Sequence, residues 1–178
     1  FFFISFFNGY FFLNLFNKSK LELNILEISL IGLIITSLFA QLLNFFVPLN
    51  DFVIYFNIFL ILIIFFSNKK YFFKKFKINY LIILPIFILT IINIYGSKFS
   101  DDLNHYHYSY ILNTDNFNYI IGYSFLHHMY GFSSLWLIAH SYFNFDYSRL
   151  QDIHVLNGLV LFLILGLFFS KIVDTIKN

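Results

Sequence analysis

Residues 28–47, ISLIGLIITSLFAQLLNFFV, carry no charged side chain. A helix over such a run rises about 30 Å, the thickness of a bilayer's hydrocarbon core. In lipid a helix satisfies its own backbone hydrogen bonds and needs no water to do so. Four shorter apolar runs accompany it, 1–16, 52–66, 78–95 and 154–170, the first interrupted by Asn8, Gly9 and Asn14. The pattern predicts an all-α fold: a polytopic integral membrane protein with about five transmembrane helices. Composition agrees, with 60% of residues hydrophobic and 11% charged, where a soluble domain carries about a quarter charged.

Turn chemistry separates the runs. Pro48, Asn50 and Asp51 predict a tight turn, because proline stops a helix and Asn and Asp favour turns. Pro85 lies inside the fourth run and predicts a kink. Nine of the eleven Lys and Arg fall in the turns at 17–27, 67–77 and 171–178, and the other two, Lys98 and Arg149, flank the interval 96–152. The positive-inside rule places those three turns in the cytoplasm. The turn at 48–51 and the loop 96–152 then face outside, which organises the chain as helices over 1–95, an extracytoplasmic loop over 96–152, and a last helix with a cytoplasmic tail over 153–178. The expected location is a cytoplasmic membrane.

Several function classes are excluded or unsupported. The net charge is only +2, so no nucleic-acid footprint is visible, and the absence of cysteine excludes disulfides, thiolate zinc sites and a cysteine nucleophile. No P-loop, G-x-G-x-x-G or G-x-S-x-G occurs, and Gly122, Gly131 and Gly158 stand isolated. The excess of Phe, Ile, Asn, Tyr and Lys follows AT-rich codon usage, so no single Phe or Tyr carries weight. The opening FFFISFF lacks a preceding basic region and a following small-residue cleavage site, so it is not a signal peptide. The chain reads as a piece of a longer protein.

The chemistry concentrates between Asp101 and Trp136, the one long polar interval, which holds four of the six histidines and three of the nine carboxylates. Leu103 to Ile121 places apolar residues at helical spacing, interrupted at Asn113–Asn118. The expectation is two short helices with a turn at Thr114–Asn116, lying at the membrane surface with aromatics at headgroup level. Another helix is expected from Ser133 or Ser134, either a suitable N-cap, to about Phe143, with Trp136 and His140 on one face.

Asp101 and Asp102 stand at the mouth of a span. One reading makes Ser100 or Asp101 a helix cap and Asp102 a first-turn acid. The other makes Asp102 a general base, because a carboxylate partly out of water has a raised pKa and can take a proton from a hydroxyl. On a helix Asp102 would share a face with His105, Tyr106 and Ser109. His105 and His107 would share a side only on a strand, His127 and His128 diverge on a helix, and no standard transition-metal spacing occurs. A hard divalent cation on Asp101 and Asp102 stays open, as does the absence of any cofactor.

These residues resemble a known group. Asp102-Leu-Asn-His-Tyr106-His107 looks like the D-x-x-x-Y-H element of large bacterial membrane proteins related to the GT-C glycosyltransferases. The later run Gly122-x-x-x-Leu126-His127-x-x-x-Gly131-Phe132-x-Ser134-x-Trp136 resembles that group's G-x-x-x-L-H-x-x-x-G-F-N-S-S-W element. Met129 stands where the group usually has Arg, Phe125 where it has Asn, and Leu135 where it has Ser. The acidic loop follows the fourth hydrophobic segment rather than the first, the earlier ones being read as an N-terminal extension.

The resemblance implies the N-terminal part of a GT-C-like enzyme. Such an enzyme transfers a sugar from a polyprenyl-phosphate-linked donor to an extracytoplasmic acceptor, with inversion at the sugar carbon. It implies that Asp102 is the base, with Asp101 as a paired acid, and that Tyr106, His107 and His127 line the site near the donor phosphate. Membrane lipid and the lipid-linked sugar are the implied partners. The competing reading is a non-enzymatic transporter or scaffold. A transporter places ionisable residues mid-span or breaks its helices there, whereas these runs hold only Asn and Gln, such as Gln41, Asn44 and Asn57.

Overall fold

The computed structural model describes residues 1–15, 23–75, 80–96, 107–122, 125, 134–143 and 153–177. Among the described residues it contains seven α-helices and no strand: α1 (Phe2–Leu15), α2 (Ile25–Asn44), α3 (Asp51–Lys75), α4 (Tyr80–Gly96), α5 (Tyr108–Asn116), α6 (Leu135–Tyr142) and α7 (Ile153–Lys177). The all-α expectation is met. Two helical segments, Ile25–Asn44 and His154–Ile176, are long and apolar enough to cross a membrane; Phe2–Leu15, Asp51–Phe66 and Ile83–Gly96 are apolar but shorter.

The helix ends follow local chemistry. At the start of α2, the Asn24 side-chain oxygen accepts from the Glu27 backbone N–H at 2.8 Å, and the Glu27 carboxylate accepts from the Asn24 N–H at 2.9 Å. This reciprocal capping box satisfies two donors that a helix start would otherwise leave open. α2 ends at Asn44, four residues ahead of Pro48. α3 begins at Asp51, whose negative charge suits a helix N-terminus, and continues past Phe66 through the basic run to Lys75. Lys, Phe and Tyr are tolerated in a helix, and no Pro or Gly interrupts that stretch. α4 runs through Pro85.

The chain divides into two compact units. The first comprises 1–35, 58–97 and 154–178. Within it α1 and α2 approach backbone to backbone: a Cβ on Gly9 would fall on the Ile28 carbonyl oxygen and lie 3.0 Å from the Gly32 Cα, and one on Gly32 would meet the Ser5 carbonyl. Only glycine permits that approach, and small residues bring apolar helices together this way in lipid. Ser5 and Ser29 are fully buried nearby in sequence, the Ser29 hydroxyl donating to the Ile25 carbonyl at 2.7 Å. α7 joins through Phe162, whose ring makes edge contacts with Phe2 and Phe87, each at 6.0 Å. Gly158 admits the Ile94 side chain and Gly166 that of Leu26. At the other end of α7, Lys171 Nζ lies 3.0 Å from Glu27 Oε1. The outward faces remain apolar, with Phe59, Ile63 and Phe66 on α3, Leu84, Ile88 and Ile92 on α4, and Ile164 and Phe168 on α7 exposed.

Candidate functional site

The second unit comprises 36–57 and 98–153 and contains the whole of the polar interval. Its described framework is the end of α2, the start of α3, α5, α6 and the segment after α5.

α5 covers Tyr108–Leu112, where a helix was expected, and continues through Asn113–Asn116, where the sequence predicted an interruption. Asn113 Nδ2 donates to the Ser109 carbonyl at 2.8 Å, Thr114 Oγ1 to Tyr110 at 2.8 Å, and Asn116 Nδ2 to Leu112 at 2.7 Å. Each polar side chain bonds back one turn, so the run that looked like a turn at Thr114–Asn116 is the last turn of the helix. The second helix expected beyond it does not form. Phe117 is the C-cap, with extended backbone and its N–H on the Asn113 carbonyl at 2.8 Å. Tyr110, Ile111, Thr114 and Asp115 make the buried face. Asp115, only 8% exposed, is the buried acid that sequence reading passed over as a turn residue.

α6 matches its expectation. The Ser134 side chain accepts from the Trp136 N–H at 3.2 Å, and the helix closes at Phe143. Trp136 and His140 sit one turn apart, rings edge to face with centroids 5.0 Å apart. His140 is buried while Trp136 is exposed. α5 and α6 pack on each other, and the Ser141 hydroxyl donates to the Ile111 carbonyl at 3.4 Å.

Asn44 ties the α2–α3 turn to the end of α5. Its buried side-chain amide donates toward the carbonyls of Thr114 at 3.2 Å, Phe117 at 3.4 Å and Val47 at 3.5 Å. Its own carbonyl accepts from the Tyr119 N–H at 2.7 Å, and the Leu49 N–H donates to the Thr114 carbonyl at 3.0 Å. The Phe45 and Tyr119 rings lie 4.8 Å apart. Asn44 was noted in the sequence only as an uncharged polar residue of a span. Its signal was position: a donor-rich amide one residue before an aromatic pair and four before a proline.

Of the residues singled out from sequence, Asp101, Asp102, Tyr106 and His127 lie outside the described residues, as do His105 and His128. His107 is the N-cap of α5 and its backbone is helical, at φ −64° and ψ −49°. The strand geometry that would bring His105 and His107 to one side therefore does not hold at His107. Among the described residues no group of three His, Asp or Glu side chains could hold a metal ion.

Two of the described helices start at residues of the two sequence elements. His107, the last residue of D-x-x-x-Y-H, opens α5. Ser134 and Trp136, the last residues of the second element, open α6, which packs on α5. A family model matches the chain over residues 1–178, its full length. The chain belongs to the family described as Domain of unknown function (DUF8201). No curated protein and no solved structure matches it. Membership in DUF8201 thus covers the membrane-like helices and the polar interval together, and names no chemistry for either.

Proposed function

We propose that this chain is a multi-pass membrane glycosyltransferase of GT-C type, moving a sugar from a polyprenyl-phosphate donor to an acceptor outside a bacterial cytoplasmic membrane. What supports the reading is the resemblance of the two sequence elements; of their residues, His107 caps α5 and Ser134 caps α6, two helices that pack on each other. In this reading Asp102 takes the acceptor's proton, with Asp101 beside it, and Tyr106, His107 and His127 face the donor phosphate. The outward apolar faces of α3, α4 and α7 support the five-span topology, because a soluble monomer rarely leaves apolar patches of that extent in water.

The test is Asp102→Asn, which keeps the shape and the ability to start a helix and removes the base. Membranes carrying the wild-type or variant protein are supplied with radiolabelled polyprenyl-phosphate sugars, and transfer is measured beside thermal stability. Loss of transfer by about 10²–10⁴-fold at unchanged stability is expected of a positioned base. Near-normal transfer by the variant ends that assignment. Absence of any transfer by the wild-type protein favours the transporter or scaffold reading.

A further inference from the structure

The segment following α5 does what a water-facing loop ordinarily avoids. Phe117 leaves the helix with extended backbone, and the Tyr119 N–H anchors the strand-like run to the Asn44 carbonyl. The chain then turns at Gly122, whose φ of +85° is the left-handed conformation that favours glycine. The Phe125 N–H closes the turn onto the Gly122 carbonyl at 2.9 Å. This turn presents Ile121 at 92% exposure and Phe125 at 94%. Phe117, Tyr119 and Ile120 are exposed as well. No Asp, Glu, Lys or Arg occurs from Asn116 to Phe145.

We propose that Phe117–Gly122, together with Phe125, forms a lipid-inserting wedge that seats in the outer leaflet, with Ile121 and Phe125 in the acyl region and Tyr119 at headgroup level. The proposal rests on the membrane-embedded reading above and adds a second attachment to it. Lipid is the occupant because the wedge continues an apolar surface. The Tyr119 ring lies beside that of Phe45, the next residues Phe46 and Val47 are exposed, and so are Leu38, Phe39 and Leu42 on α2, a helix long and apolar enough to span. A tyrosine beside aliphatic and phenyl groups, with no charge, is the composition of the bilayer interface. A wedge held to α2 through Asn44 would fix the depth of the loop against the plane where a lipid-linked headgroup lies.

The chain has no cysteine, so single labels are clean. Ile121→Cys, Phe125→Cys, Asn116→Cys and Leu42→Cys are each labelled with an environment-sensitive nitrobenzoxadiazole dye. The labelled proteins are reconstituted into nanodiscs of phosphatidylethanolamine and phosphatidylglycerol. Emission from the labels at 121 and 125 is expected to shift to the blue, to fall when nitroxide-bearing lipid is included, and to resist aqueous iodide. The label at 116, on an exposed helix residue, is expected to respond the other way. Lipid quenching at 42 with iodide quenching at 121 and 125 overturns the wedge and leaves the membrane reading intact. Iodide quenching at 42 overturns the membrane reading and the wedge with it. Shielding of 121 and 125 from both quenchers means that protein covers the turn, and it overturns the proposal in favour of a partner or a second copy of the chain.

Discussion

Lys171, near the end of α7, lies 3.0 Å from the Glu27 carboxylate at the start of α2. Both residues belong to segments that the lysine distribution assigns to the cytoplasm, 17–27 and 171–178. The ion pair therefore joins one residue from each of two segments that the positive-inside rule puts on one side.

The matching expectation concerns accessibility. Cysteines placed singly at Asn68 and Thr175 are expected to react with a membrane-impermeant maleimide only after the cells are permeabilised. One at Asn116, in the loop unit, is expected to react in intact cells. Opposite labelling would reverse the orientation and remove the loop from the compartment where a lipid-linked donor is used.

The α1–α2 crossing is expected to be intolerant of a single methyl group. Gly9→Ala drives a Cβ into the Ile28 carbonyl and Gly32 backbone, atoms that cannot move without separating the helices. A destabilisation of about 1–3 kcal/mol is expected for such overpacking, read as unfolding in detergent micelles. Gly96→Ala, with no atom within 4 Å of the new carbon, serves as the control and leaves the midpoint in place. Equal midpoints for both variants would contradict the close crossing.

Asn44→Ala removes the side-chain donor shared by the Val47, Thr114 and Phe117 carbonyls. A loss of about 1–3 kcal/mol is expected from leaving buried acceptors without it. Hydrogen exchange locates the damage: the Tyr119 and Leu49 amides, which bond across this junction, should exchange faster while those of α7 hold. Unchanged protection at both amides would show that the junction does not depend on Asn44.

Ser134 separates a cap from a substrate contact. Ser134→Ala loses the side-chain acceptor for the Trp136 N–H and is expected to cost about 1 kcal/mol, with Ser134→Asp restoring most of it. A Ser134→Asp protein that regains its stability but not the proposed sugar transfer would assign the hydroxyl to the substrate instead.

The sequence was most legible where one residue type has one local use. Ser134 ahead of LWLIAHSY is an N-cap before an apolar helix, and the helix starts and stops within a residue of expectation. Legibility failed where a polar residue had two local uses. Asn113, Thr114 and Asn116 suit a turn, but the same side chains can bond back one turn and finish a helix, and tertiary contact with Asn44 and Leu49 favours the helix. Gly9 and Gly32 could not be paired by inspection, because the crossing depends on which helices meet. Of the candidate site, only His107 and the α5–α6 frame lie within the described residues.

The junction at Asn44 also dictates an order of events during synthesis. The α2–α3 turn leaves the ribosome well before Thr114, and at about 5–20 residues per second it waits several seconds for its partner. During that interval the Asn44 carbonyl and the Leu49 N–H, later bonded to Tyr119 and Thr114, must be satisfied by water. The α2–α3 turn thus carries one half of a junction that only the later Thr114–Tyr119 run completes.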